Sequence, residues 1–292
     1  MRISKNKKYQ YLFFLVLSFY IVGNGGNSNL MIQINFIFIS TYFIFCLKDK
    51  NYLVHARNFY RDNKISIYCY LFFLVFLIFQ ILPLSVNLLK YISPNKFSYL
   101  NTMSYFSYSS ISFSPSETFF QILNFLTILL VIFILKMVFY TDRHKLRFYL
   151  FLSFAGFISS VVAVIFYLNG NPDFLIFKNS YYKYASTGFF INRTVFSIFL
   201  LFSLISSLEL LRNFTAKQKV LKNDYFFTKL YVRLFIIFIT IGIITTFSRI
   251  GNFLLLITIL YYLIYEIFFQ KNKNFSFKFI ILLIIFFDLI LI

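Results

Sequence analysis

Two arginines are the residues of this chain best suited to chemistry on a phosphate. Arg193 stands in the stretch STGFFINRTVFSIFLLFSL that begins at Ser186, and Arg249 in TTFSRIG, which ends at Gly251. A guanidinium grips a phosphate through two parallel N–H···O bonds and keeps its charge at any physiological pH. Both arginines lie at the ends of long apolar runs, where an interfacial anchor is the alternative role, because a charge near a span end can snorkel to the headgroups. Other candidates are weaker. Glu209 and Arg212, three residues apart, read as an ordinary helix-surface pair. Cys46 and Cys69 match no metal-site spacing, and GNGGNSN after Val22 reads as a turn because no strand precedes it and no Lys-Ser/Thr follows.

The elements that must position these residues are membrane spans. Hydrophobic residues make up 60% of the 292, and apolar runs of 16 to 23 recur along the chain. That pattern predicts an all-α, polytopic transmembrane helical bundle in a single domain, 1–292. The net charge of +19 does not indicate nucleic acid, since the basic residues sit in short segments between apolar spans. The wealth of Phe and Tyr beside abundant Ile, Lys and Asn fits a coding bias and carries no functional reading. Spans are expected at 9–22, 30–46, 65–86, 118–140, 148–168, 188–211, 230–247, 253–269 and 279–292, which makes about nine. The segment 47–64 reads as a basic loop, and 87–117, rich in Ser, Tyr and Pro, as a long polar loop outside the membrane or partly re-entrant.

Charge orients the bundle. With the N-terminus cytoplasmic, 22 of the 28 Lys and Arg fall in inner segments and 6 in outer ones, and every inner segment holds more than its outer neighbours. Arg193 and Arg249 are then outer-face residues that run against the bias, so topology gives no reason for them. A lipid-linked phosphate is the partner such a pair would meet there. His55 and His144 lie in inner, basic segments and face the wrong side for that chemistry. Gln33, Asn35, Gln80, Gln121, Asn124, Asn192, Thr245, Thr246, Ser248 and Asp288 all fall towards outer span ends. Amides in hydrocarbon need partners or water. Their common depth fits either a polar cavity open to the outer leaflet or the ordinary polarity of span ends.

Phe190-Ile191-Asn192-Arg193 after Thr187-Gly188, followed about sixty residues later by Ser248-Arg249-Ile250-Gly251, resembles the O-antigen ligase and polymerase superfamily. Leu82-Pro83-Leu84, Ser93-Pro94 and Ser112-Phe113-Ser114-Pro115 with Thr118 look like that family's loop between two early spans. The likeness covers roughly 80–255, with an O-antigen ligase-related region expected over 180–292. It implies a GT-C-like bundle in the bacterial inner membrane with its active face periplasmic. It also implies a glycosyltransferase or polymerase of surface polysaccharide (lipopolysaccharide) biosynthesis. Such an enzyme takes glycan from an undecaprenyl-diphosphate-linked donor to another glycan or a lipid A-core acceptor, with no metal or nucleotide cofactor. By this resemblance Arg193 and Arg249 would bind the diphosphate and neutralise charge as it leaves. Asn192 and Ser248 would orient the arginines or the sugar, and the amides Gln121 and Asn124 would contribute to substrate binding.

The chain departs from the family in one respect. Members usually carry a large outer loop after this point, with a histidine proposed as general base. Here the sequence stops inside an apolar run at Ile292, so a truncated C-terminal part, and an inactive product if nothing supplies the rest, is the expectation. A transporter or flippase of an anionic lipid-linked solute would use the same arginines. No internal repeat and no broken spans in matching halves point that way.

Overall fold

Apolar runs of this length satisfy their backbone N–H and C=O groups in hydrocarbon by closing into helices. The structure, a computed structural model, describes residues 5–23, 25, 28–102, 107–172, 182–221 and 226–268. Among them, six helices are long and apolar enough to cross a membrane. The protein is all-α and polytopic, with one short strand pair, and is membrane-embedded. The expected last span, 279–292 with Asp288, lies outside the described residues. Two compact units form, one from Met1–Val16 with Ser28–Tyr140, the other from Leu17–Asn27 with Thr141–Ile292.

In the first unit the order is the start of α1 (Lys5–Val22), α2 (Asn29–Leu47), α3 (Lys50–Asp62), α4 (Lys64–Ile81), β1 (Leu84–Ser85), α5 (Val86–Ile92), α6 (Pro94–Thr102), β2 (Tyr108–Ser109) and α7 (Pro115–Val138). α2, α3 and α4 all pack on α7. Asn29 Nδ2 donates to Glu117 Oε1 at 3.2 Å and Ser112 N to Gln80 O at 3.0 Å. These bonds gather the start of α2, the end of α4 and the start of α7 at one end of the unit. α4 stops at Ile81 rather than continuing to residue 86, because Pro83 drives Leu82 out of the helical region (φ −59°, ψ 135°).

The expected basic loop 47–64 is in fact mostly the helix α3. Asp49 accepts from Asn51 N at 3.1 Å as its N-cap, and Tyr52, His55 and Phe59 recur at helical spacing on the side that meets the rest of the unit. The loop 87–117 is also more ordered than expected. α5, α6 and the antiparallel pairing of Leu84–Ser85 with Tyr108–Ser109 fill much of it. Lys96 on α6 is only 6% exposed, donates from Nζ to Ser112 O at 3.0 Å, and lies 4.5 Å from the centre of the Phe113 ring.

The second unit is built on α9 (Arg193–Leu221), with α8 (Asp142–Leu168), α10 (Phe226–Ile244) and α11 (Arg249–Phe268) packed around it. Phe196, Leu200, Leu204 and Leu208 recur every four residues along α9 and are fully buried. Lipid is as apolar as these side chains, so close packing between helices, more than exclusion from water, holds them together. Small residues set the approach: Gly156 of α8 meets Ser203 of α9, and a Cβ on Gly242 of α10 would lie 2.6 Å from the Ser160 Cβ. At the far end of α9, Tyr262 of α11 donates to Glu209 Oε1 at 3.1 Å and Arg212 pairs with the same oxygen at 3.3 Å. The expected helix-surface pair is therefore a three-residue contact that ties α9 to α11.

Candidate functional site: two helix starts in the second unit

Arg193 and Arg249 are each the first residue of a helix, α9 and α11 respectively. Arg193 was expected one turn inside a span beginning at 188. The helix starts later because Ser186 to Asn192 is held as a turn by other groups. Ser186 N donates to Thr245 O at 2.9 Å and its Oγ shares a hydrogen bond with Thr245 Oγ1 at 2.9 Å. Phe190 N closes on Thr187 O at 3.0 Å around Gly188, whose φ of +55° suits a residue without a Cβ. Phe190 then seats its ring on Phe196 and Phe199 of α9, at 5.5 and 5.3 Å between centroids.

The residues before the arginines are caps. Asn192 Oδ1 accepts from Thr194 N at 2.8 Å, and Ser248 Oγ accepts from Gly251 N at 3.2 Å. Ser248 N in turn donates to Thr246 Oγ1 at 3.2 Å, which fixes a four-residue turn, 245–248, with Phe247 in the left-handed region at φ 47°. A bulky residue there is strained by about 1–2 kcal/mol, which the capped and bonded neighbours hold in place.

The two helix starts meet. Ser248 Oγ donates to Thr194 Oγ1 at 3.4 Å, so the residue before Arg249 is bonded to the residue after Arg193. Gly251 stands directly against Ser197, one turn along α9, leaving no room for a Cβ. Two helix N-termini thus converge with one arginine on each. The first N–H groups of a helix lack intrahelical partners, and its dipole places positive potential there, so each start favours an anion. Arg193 is half-buried, with its guanidinium carbon 5.3 Å from the centre of the Tyr182 ring, while Arg249 is exposed. Tyr182 is itself held: buried Asn171, at the end of α8, donates from Nδ2 to the carbonyls of Tyr182 and Ala185 at 2.7 and 2.9 Å.

Of the other residues expected at the site, Gln121 and Asn124 stand on α7 in the first unit, Gln121 exposed and Asn124 half-buried. The polar residues near outer span ends do not behave alike. Gln33 is exposed on α2, whereas Asn35 is 3% exposed and its Nδ2 finds no partner among the described residues. Thr245 and Thr246 spend their hydroxyls on α10 carbonyls and on the turn. His55 and His144 are both on helices, His55 stacked on Tyr140 at 4.0 Å and His144 in the first turn of α8. Among the described residues no group of three His, Cys, Asp or Glu side chains is placed to hold a metal ion. Sequence reasoning missed Thr194, Tyr182 and Asn171, and named Gly251 only as part of a motif. The Ser248-x-x-Gly251 spacing is the one local signal, a cap followed by a close-packing residue; the others depend on contacts between distant segments.

No family model matches the chain, and no similar curated protein or solved structure is found. The functional reading therefore stands on the residues themselves.

Proposed function

We propose that this protein transfers or polymerises glycan from an undecaprenyl-diphosphate-linked donor, in the manner of an O-antigen ligase, on the outer face of a bacterial inner membrane. The observation that carries the reading is the meeting of the α9 and α11 starts through Thr194 and Ser248, with Arg193 and Arg249 beside that contact. Breaking the sugar–phosphate bond leaves negative charge on the departing diphosphate. Two guanidiniums carried on helix starts that are fixed in advance, with the two helix dipoles, stabilise that charge. No metal is called for in this role. The acceptor is a glycan hydroxyl or lipid A-core. The proposal includes nine spans in a GT-C-like partial bundle, the N-terminus inside, and the arginine end of the second unit facing the periplasm.

The test replaces Arg193 or Arg249 by Ala and by Lys and measures surface glycan on the host cell. Each Ala variant should lower product by about a hundredfold or more, as the loss of one charge-stabilising donor does. Lys should recover part of it, since it keeps the charge and loses the two-pronged grip. Unchanged glycan in the Ala variants removes the enzymatic reading. Movement of labelled lipid-linked glycan across proteoliposomes, with no new glycosidic bond, would instead assign the arginines to transport.

A further inference from the structure

Helix α3 carries a second charged surface, unrelated to the arginine pair. Its inner side is fully engaged: Tyr52 is buried, His55 stacks on Tyr140, and the Phe59 ring packs edge-on to Phe133 at 5.1 Å with Lys136 over its face. Lys50, Val54, Arg57 and Arg61 are spaced four, three and four apart, which puts them along the opposite side of the helix, and all four are exposed. Lys48 and Lys64, also exposed, stand just outside its two ends. The segment 48–64 holds five Lys and Arg against two carboxylates, Asp49 at the N-cap and Asp62, which lies 3.6 Å from Arg61 Nε.

The position of this stripe is set by its neighbours. α3 runs between the end of α2 and the start of α4, both of spanning length, and packs on the last turns of α7. It therefore lies at the headgroup level at one end of those spans. Long basic side chains around one apolar residue, Val54, match a surface of phosphodiesters, and cations near an anionic bilayer are drawn to it.

We infer that α3 binds anionic phospholipid at the ends of these spans, through the phosphates that Lys50, Arg57 and Arg61 meet along its outward side. The full-length protein, extracted in neutral detergent from a membrane of phosphatidylethanolamine and phosphatidylglycerol, provides the test. Its bound lipid should be enriched several-fold in phosphatidylglycerol over the parent membrane, as read by mass spectrometry. R57Q/R61Q should lose most of that enrichment, and R57K/R61K should keep it. R143Q/K145Q, which removes two exposed cations from the start of α8, should also keep it. Absence of enrichment in the unmodified protein overturns the assignment. Equal loss in R57Q/R61Q and R143Q/K145Q overturns it too, because the effect would then belong to overall charge. Loss in R57K/R61K as well would show that Arg packing, not phosphate binding, was being measured.

Discussion

The smallest decisive features are the caps next to the two arginines. Asn192 and Ser248 are expected from the resemblance to orient the arginines or the sugar, and each spends its side-chain oxygen on a backbone N–H of the helix it starts. Their replacement by Ala should cost about 0.5–2 kcal/mol each, seen as a lower melting temperature in detergent. S248A should be the more damaging for function, because it also removes the contact with Thr194 that joins the two helix starts. Gly251 is the sharper case. Alanine there drives a Cβ into Ser197, and overpacking of this kind costs about 1–3 kcal/mol. The companion change S197G should recover much of that loss, and failure to do so would mean the helices are not in close contact at this point.

Among the elements, the segment between α4 and α7 owes its order to Lys96. A buried ammonium bonded to the Ser112 carbonyl and resting on Phe113 ties α6 to the chain just before α7. K96M keeps most of the volume and removes both interactions. Loss of a charged hydrogen bond of this type costs about 1.5–3 kcal/mol. The expected result is faster proteolytic cleavage within residues 86–114, with cutting elsewhere unchanged. The link between α9 and α11 is weaker: Y262F removes one bond to Glu209 and should lower stability by about 0.5–1.5 kcal/mol, measured as the melting temperature in detergent. Lys96 was not singled out from the sequence, where a lysine in a polar loop looks solvated. α3 went unread for a related reason: its charges resemble a loop, and its apolar side, Tyr52, His55 and Phe59, is only three residues wide.

At the scale of the whole molecule, orientation is the property to measure. On a background of C46S/C69S, cysteine introduced at Tyr91 or Tyr184, both strongly exposed, should react with an impermeant maleimide on intact cells. Cysteine at Arg61, also exposed on α3, should react only after the membrane is opened. The reverse pattern would put the arginine pair on the cytosolic side and end the glycan-transfer proposal, while leaving the lipid contact of α3 intact.

The sequence by itself determined the class of molecule. Helical closure is the only way for isolated apolar runs to satisfy their backbones in lipid, so length and hydropathy were enough to predict a polytopic helical protein. It also singled out Arg193 and Arg249, because two cations against the charge bias are visible without coordinates. Tertiary structure alone decided that these residues start their helices side by side. That follows from a turn held by Ser186 and Thr245, a bond between Thr194 and Ser248, and a glycine pressed on a serine. Each joins residues some fifty or more apart, and local pattern has no means of registering such contacts.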